Sequence, residues 1–343
     1  MVYLGLSVVP YWGFWTAGGT RIAGKGGDPA TDAWFLSWVS YAVVHLHNPL
    51  VTDWGNYPYG VNGAVNLSMP LLGVLGLPVT LACGAFVTTT VLFTLAFPLS
   101  ALSGYALIQR WVRWRPAAFG GGLLYGFSPY LLAHGGSHLN LVFVPLPPLI
   151  FGVACQICAQ SGSRACPGPR RRARVRGTIL ALLCVAQFLI SAEVLASTVI
   201  TGVIALGFAA AAGKEAARER WRASARAFGV ATAVTAVLLA YPLWLLAAGP
   251  ERVPGPVQET SLYRGNLLAP LVPDSSMRFR VPGWLPLANT FSSGTSENGL
   301  YIGLPLLVLL AAGAVVLRHR PVVRVAALTT AAAFVLSLGS RLT

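Results

Sequence analysis

The chain has 343 residues, of which 55% are hydrophobic and only 10% are charged. Soluble globular domains typically carry about 25% charged residues, so these few charges cannot cover a water-exposed surface of this size. Apolar segments long enough to cross about 30 Å of hydrocarbon recur along the sequence. The composition therefore excludes a soluble globular protein and predicts an all-α, polytopic membrane protein in contact with membrane lipids.

The net charge of +14 raises the question of nucleic-acid binding, but the positions of the basic residues argue against it. They lie in short clusters between apolar segments, the pattern that orients membrane proteins by keeping basic loops in the cytoplasm. We therefore expect no nucleic-acid partner and place four clusters in the cytoplasm. These clusters lie at Arg110–Arg115, Arg164–Arg176, Lys214–Arg226 and Arg318–Arg324.

The apolar segments predict about nine transmembrane helices in a single transmembrane domain over residues 1–343. Residues 69–83 are apolar but contain Pro70 and Pro78, and we interpret them as a juxtamembrane or re-entrant element in a long first outer loop, residues 18–85. A second long outer loop covers residues 249–299, and we expect the C-terminal part of the protein to be missing. The predicted spans are 2–17, 86–109, 116–134, 141–159, 177–191, 194–212, 227–248, 300–317 and 325–339.

The acidic residues indicate on which face the chemistry lies. Only Glu215 and Glu219 fall on the predicted cytoplasmic side, and every other Asp and Glu falls outside. Acidic residues contribute little to membrane orientation, so this asymmetry is independent of the basic clusters. It indicates polar work on the extracytoplasmic face.

In the first outer loop, Asp28 and Pro29 predict the start of a helix, with Asp28 as its N-cap and Pro29 in its first turn. Trp34 and Trp38 are four residues apart, so they share one face, which we place at the headgroup level. This interfacial helix would carry Asp28 and Asp32 at its start. Helix capping alone explains an Asp at position 28, and convergence with other polar groups would favour catalysis instead.

Three further polar residues fall at the outer ends of predicted spans. His138 and Asn140 follow the third span, where His138 could bind a phosphate or sugar oxygen, or simply meet water. Glu193 lies at an outer turn within an apolar stretch, where an acid is costly and is a functional candidate. It could bind a sugar hydroxyl or a cation, or pair with an Arg of the next loop.

The second outer loop contains arginines in a protein that keeps most basic residues inside. Contact with an anionic ligand is one explanation, and solvent exposure is the other. The candidates for binding an anionic ligand are Arg264, Arg278 and Arg280.

Other motifs add little chemistry. Cys155 and Cys158 form a C-x-x-C without a second pair or a His cluster, so no zinc site is predicted. Gly122-x-x-x-Gly126 indicates helix packing, and there is no P-loop or dinucleotide fingerprint. We therefore predict no cofactor, while participation of a divalent metal is left open.

The sequence resembles the GT-C superfamily of integral membrane glycosyltransferases, in particular its actinobacterial members. The resemblance lies in the Gly-Gly-Asp28-Pro29 opening of the outer loop, the Trp34–Trp38 segment and the Tyr125–Tyr130 segment before the His138–Asn140 turn. Glu297-Asn298-Gly299 also fits. The likeness is clearest over residues 18–160.

This resemblance implies a polyprenyl-phosphate sugar as donor, a glycan or lipid as acceptor, and a site on the outer face of the bacterial plasma membrane. It implies that Asp28 is the general base on the acceptor hydroxyl, with Asp32 as the alternate, and that transfer inverts the anomeric carbon. The rival hypotheses are a transporter or lipid-linked saccharide flippase, and an inactive relative. A transporter predicts charges within spans and inverted repeats, and neither is evident.

Overall fold

The computed structural model is mainly α-helical, as the sequence predicts. Within the part it describes, the only strands are β1 (Val51–Thr52) and β2 (Val61–Asn62), which pair antiparallel in a short hairpin. For residues 214–223 the structure describes the backbone alone. The described residues are 1–24, 28–65, 68–159, 169–212, 214–255, 264–273, 277, 281–291 and 300–339.

The helices are divided between two compact units. The first unit comprises residues 1–127, 135–196 and 218–254, and the second comprises 128–134, 197–217 and 255–343. In chain order the helices are α1 (Val2–Trp15), α2 (Asp28–Val44), α3 (Pro70–Cys83), α4 (Ala85–Ile108), α5 (Arg115–Gly126), α6 (Pro129–His134), α7 (Leu139–Val142), α8 (Leu146–Ala159), α9 (Pro169–Phe188), α10 (Ala192–Ala212), α11 (Lys214–Leu238), α12 (Ala240–Ala248), α13 (Leu285–Ala288), α14 (Leu304–Val316) and α15 (Pro321–Ser337).

Several helices are long and apolar enough to cross a membrane. Three segments of the described chain meet this condition, namely Ala85–Ile108, Leu139–Ala159 and Ala192–Ala212. The bent pair Ser224–Leu238 and Ala240–Ala248 makes a fourth if it forms one span. The total of nine spans therefore stays a prediction.

Two segments predicted as continuous spans are interrupted by proline. The 116–134 segment breaks after Gly126, because Pro129 disfavours helical backbone at the residue before it. The 227–248 segment bends by 62° between α11 and α12. Pro242 lies just beyond this bend. In a straight helix its ring would clash with the carbonyl of Leu238, four residues earlier, and it has no N–H to donate to that carbonyl.

Helix α4 is the centre of the first unit, where α1, α2, α3 and α5 pack against it. Phe93 of α4 is buried, and the ring of Tyr11 stacks on it with centroids 5.7 Å apart. Helix α5 approaches α4 closely, since a Cβ at Gly126 would lie 2.5 Å from the Ala101 nitrogen. The glycine spacing in α5 therefore serves helix packing, as predicted.

Helix α2 is held within the first unit, packed against α3 and α4. Helix α3 has 14 residues, fewer than the roughly 20 of a full span. Trp38 was expected to face lipid headgroups, but it is buried and its indole N–H donates to the Pro49 carbonyl at 3.1 Å. The loop after α2 folds back over this ring, which a helical periodicity cannot show.

The second unit has a small apolar cluster of its own. Ala269, Val272, Ala288 and Phe291 are buried together. The Gly265 N–H donates to the Ser337 carbonyl at 2.7 Å and so ties the segment before this cluster to the end of α15. Of the predicted site residues that the structure describes, Arg264 alone belongs to this unit.

Candidate active site

The start of α2 and the turn before α7 bring two predicted site residues into contact. The Nε2 atom of His138 lies 3.0 Å from Oδ2 of Asp28. On the other side of the ring, Nδ1 lies 2.7 Å from the Ser137 hydroxyl. A neutral imidazole with its proton on Nε2 fits both contacts, since Nδ1 then accepts from Ser137. The Asp28 side chain is 51% exposed, so its carboxylate is held by protein yet accessible.

Asp32 lies one helical turn further along α2 and has a different environment. Its side chain is fully buried, and Oδ2 accepts a hydrogen bond from the Leu139 N–H at 3.3 Å. No described residue pairs with Oδ1. Burial, opposed by the Leu139 hydrogen bond and reinforced by the charge of Asp28, raises the pKa of Asp32 to about 7. The two carboxylates therefore have different environments: that of Asp32 is buried in protein, and that of Asp28 is half exposed to solvent.

The turn before α7 is fixed by contacts on both sides. The Tyr11 hydroxyl donates to the Gly135 carbonyl at 2.6 Å. Gly24 has φ +120°, and a Cβ there would lie 2.9 Å from the Gly136 carbonyl oxygen and 2.5 Å from a carbon of Pro29. Only glycine allows the segment leading to α2 to pass this close. The start of α2 and the turn are thus locked together.

Asn140 and Glu193 line a separate small cleft of about 190 Å³. Asn140 is buried, and no described group hydrogen-bonds to its Oδ1. Ser191 also lines the cleft and caps α10, accepting from the Val194 N–H at 3.3 Å. Glu193 follows at the exposed first turn of α10. Asn140 is two residues after His138, so one segment of chain contributes both to this cleft and to the Asp28 contact, although His138 and Asp28 do not line the cleft.

Comparison with known proteins identifies the family of the chain. A family model described as a domain of unknown function, DUF6311, matches residues 6–343. The chain belongs to the DUF6311 family. No curated protein and no solved structure matches it.

The structure describes one of the three arginines proposed to bind phosphate in this DUF6311 chain. Arg264 belongs to the second unit, and Arg278 and Arg280 lie outside the described residues. Arg21 was not among the predicted site residues, although it precedes Gly24 on the segment leading to α2. It is exposed, with its guanidinium 5.9 Å from the centre of the Phe14 ring. The sequence feature that could have identified Arg21 as a candidate is its position shortly before Asp28 in the same loop.

The same geometry bears on metal binding in the DUF6311 chain. No group of three or more His, Cys, Asp and Glu side chains close enough to hold a metal ion occurs in the described part. The Asp28–His138 pair together with Ser137 instead resembles a carboxylate oriented by a histidine. Such an arrangement is suited to accepting a proton from a bound hydroxyl.

Proposed function

We propose that this protein is a GT-C-type membrane glycosyltransferase that moves a sugar from a polyprenyl-phosphate donor to an acceptor hydroxyl. The observation that carries the proposal is the contact between Asp28 and His138, beside a second, buried carboxylate. A general base must reach a bound hydroxyl and be fixed in orientation. Asp28 meets both conditions, whereas Asp32 is enclosed by protein and holds the Leu139 amide.

The reaction assigned to this site is a single displacement. Asp28 takes the proton of the acceptor hydroxyl as its oxygen forms a bond to the anomeric carbon of the donor sugar. The bond from that carbon to the phosphate oxygen breaks, and the polyprenyl phosphate leaves with the bonding electrons. Attack opposite to the leaving phosphate inverts the anomeric carbon. No redox step and no cofactor is required.

Asp32 and His138 support the base in two different ways. His138, itself held by Ser137, fixes the Asp28 carboxylate. Asp32 is partly protonated near neutral pH because of its raised pKa, so it repels the Asp28 carboxylate less than a fully charged neighbour would. We therefore assign Asp28 as the base and Asp32 as a positioning residue that holds the turn before α7.

The cleft beside the turn supplies the groups that a sugar needs. Amide, hydroxyl and carboxylate side chains of Asn140, Ser191 and Glu193 can exchange hydrogen bonds with sugar hydroxyls. The unsatisfied Oδ1 of Asn140 is costly to bury without a partner, and a sugar hydroxyl that donates a hydrogen bond to it would satisfy it. For the donor phosphate we propose Arg21, while Arg264, Arg278 and Arg280 stay predictions from the sequence.

The membrane setting completes the proposal. With the nine predicted spans and the basic clusters in the cytoplasm, Asp28, His138 and Glu193 would lie on the extracytoplasmic face of a bacterial plasma membrane. There a polyprenyl chain lies in the bilayer while its phosphate and sugar reach the surface. The start of α2 would then lie at the level of the lipid phosphate.

A transporter or flippase is the second candidate, favoured by one observation. The 62° bend between α11 and α12 is the kind of broken helix that lines transport pathways. Flipping of a fluorescent lipid-linked saccharide in proteoliposomes, with no covalent transfer, would favour this alternative.

The transferase is tested with purified protein, radiolabelled polyprenyl-phosphate sugars and a membrane extract as the acceptor source. We expect transfer by the wild type and a loss of roughly 10²–10⁴-fold in Asp28→Asn. Glu215→Gln makes the same chemical change in a predicted cytoplasmic segment and should keep wild-type activity. Equal transfer by Asp28→Asn and wild type would remove Asp28 from the mechanism, and no transfer with any donor would overturn the proposal.

A further inference from the structure

A second and larger cavity lies in the first unit, beside the loop that follows α2. Its volume is about 490 Å³, within the range of roughly 300–1,000 Å³ typical of small-molecule sites. It takes no part in the mechanism above. Its lining includes Trp38, Tyr41, Trp54, Tyr59, Asp53 and Glu251.

Aromatic rings form one side of this cavity. The Trp54 ring centre lies 4.5 Å from that of Tyr41 and 5.5 Å from that of Trp38. A ligand inserted between two rings needs about 7 Å, twice a van der Waals contact, so a ligand must lie on the cluster instead of inside it. Trp38 is buried, whereas Trp54 is 62% exposed and Tyr59 is 73% exposed. The cluster is therefore a supported aromatic surface rather than a cage around a small cation.

The charged groups of the cavity exclude anionic ligands. Asp53, Glu251 and His47 line it, and no Lys or Arg is among its lining residues in the described part of the chain, although the whole chain carries a net charge of +14. Two carboxylates repel phosphate and acidic sugars. They accept hydrogen bonds strongly from hydroxyl groups. The cavity is thus not a site for the donor phosphate.

The walls of the cavity are fixed before any ligand binds. Asn62, at the end of β2, is buried, and its Nδ2 donates to the carbonyls of Leu245 and Pro250 at 2.9 Å each. This ties the hairpin to the segment that carries Glu251. A preformed site avoids the entropic cost of ordering two segments around a ligand.

The cavity is also some way from the carboxylate pair. Trp38 is ten residues after Asp28 on the same helix, which corresponds to about 15 Å at 1.5 Å per residue. A ring bound on the aromatic surface therefore cannot place its own hydroxyl at Asp28. If one glycan reaches both places, the sugar on the aromatic surface and the sugar whose hydroxyl meets Asp28 must be different residues of that glycan.

We infer that this cavity binds an uncharged sugar unit of a glycan, with the apolar C–H face of the ring on Trp54 and its hydroxyls at Asp53 and Glu251. Partially positive C–H groups are attracted to the electron-rich face of an indole, and the carboxylates accept from the hydroxyls. The role of this cavity as a remote acceptor subsite rests on the proposed transferase function. Its ability to bind a saccharide does not depend on that function.

The test is calorimetric titration of the full-length protein in nanodiscs with maltotriose, mannotriose, galactotriose and arabinotriose. Glucuronic acid and tetramethylammonium chloride are the charged probes. We expect at least one trisaccharide to bind and both charged probes not to bind. Octyl glycosides of the same sugars show whether a free glycan or a lipid-linked one is preferred, since tighter binding of the octyl form indicates the lipid-linked source.

Trp54→Ala should weaken trisaccharide binding by about tenfold or more, as expected for a central aromatic contact. Tyr59→Ala is a second, independent variant in case Trp54→Ala does not fold. The matched control is Trp114→Ala, which removes a tryptophan that is 69% exposed and lies outside the cavity. It should bind like the wild type.

Two results would overturn the inference. One is the absence of trisaccharide binding to the wild type, and the other is unchanged binding in both Trp54→Ala and Tyr59→Ala. Sugar binding without any transfer by the wild type would leave the saccharide site standing and remove the transferase. Transfer without sugar binding at the cavity would leave the transferase standing and remove the saccharide site. If both stand, Trp54→Ala should raise KM for a long acceptor and change kcat little.

Discussion

His138 and Asp28, far apart in the sequence, meet at 3.0 Å between Nε2 and a carboxylate oxygen. The histidine belongs to a turn that is itself anchored by the Tyr11 hydroxyl. The carboxylate at the start of α2 is therefore oriented by a group whose own position is fixed. This is the arrangement that a general base requires.

His138→Ala should lower kcat for sugar transfer by about tenfold or more, because Asp28 loses its orienting partner. The loss should be smaller than the roughly 10²–10⁴-fold expected when the base itself is removed. The double variant with Asp28→Asn should be no slower than Asp28→Asn alone, since the two residues act as a unit. His319→Ala, in a predicted cytoplasmic cluster, is the control. Strictly additive losses would contradict this assignment.

Asp32→Asn should remove a pH dependence of stability. In the folded protein the pKa of Asp32 is about 7, against an ordinary value of 3.8. Between these values the folded state binds more protons than the unfolded state, so the free energy of unfolding falls as pH rises. The total loss is on the order of a few kcal/mol, complete above about pH 7 and absent below about pH 3.8.

The measurement is thermal unfolding in detergent at pH 4, 6 and 8. Asp32→Asn should match the wild type at pH 4 and unfold at a higher temperature at pH 8. Asp53→Asn, which alters an exposed carboxylate, serves as control and should show no such divergence. A constant difference in Tm at all three pH values would rule out ionisation of Asp32 as the cause.

Gly76→Ala should destabilise the contact between α3 and α4. A Cβ at Gly76 would lie 2.6 Å from the Thr88 methyl carbon, and Thr88 cannot rotate freely because its hydroxyl bonds to Thr80 and to the Gly84 carbonyl. The expected loss is about 1–3 kcal/mol, measured as a lower Tm. The second substitution Thr88→Ser removes the methyl group, keeps the hydroxyl and should restore stability.

Gly202→Ala in α10 is the matched control for that substitution. No neighbouring atom lies within 4 Å of a Cβ at Gly202, so alanine should be neutral or slightly stabilising through its helix propensity. A Gly76→Ala protein as stable as Gly202→Ala would show that α3 and α4 do not pack as closely as described.

Asn62→Leu should open the aromatic cavity. It removes at least three hydrogen bonds, at a cost of about 2–4 kcal/mol. The Leu245 and Pro250 carbonyls lose this donor, and the Ala64 N–H loses its Oδ1 acceptor. We expect a lower Tm and weaker trisaccharide binding together. The exposed Asn289 changed to Leu is the control, and it should alter neither. Unchanged sugar affinity in Asn62→Leu would mean that the two cavity walls do not depend on this residue.

The sequence carried much of the information about the site. It predicted that a helix begins at Asp28, that Asp32 follows on it, and that His138 and Asn140 form a turn between helices. In the structure the turn ends at His138, and Asn140 already belongs to α7. It did not distinguish the two carboxylates, because their difference is burial, which depends on segments distant in the chain. It also did not place Asn140 and Glu193 at a common cleft, or identify the cavity around Trp54.

Hydropathy, helix starts and glycine spacing are local properties of the chain, and so the sequence by itself determined the helical class and the presence of membrane-length apolar helices. It also determined which polar residues accompany them. The contact of His138 with Asp28, the raised pKa of Asp32, the bend before Pro242 and the burial of Trp38 were decided only by the tertiary structure. Each of these depends on which distant segments pack together, and packing is a property of the folded chain as a whole.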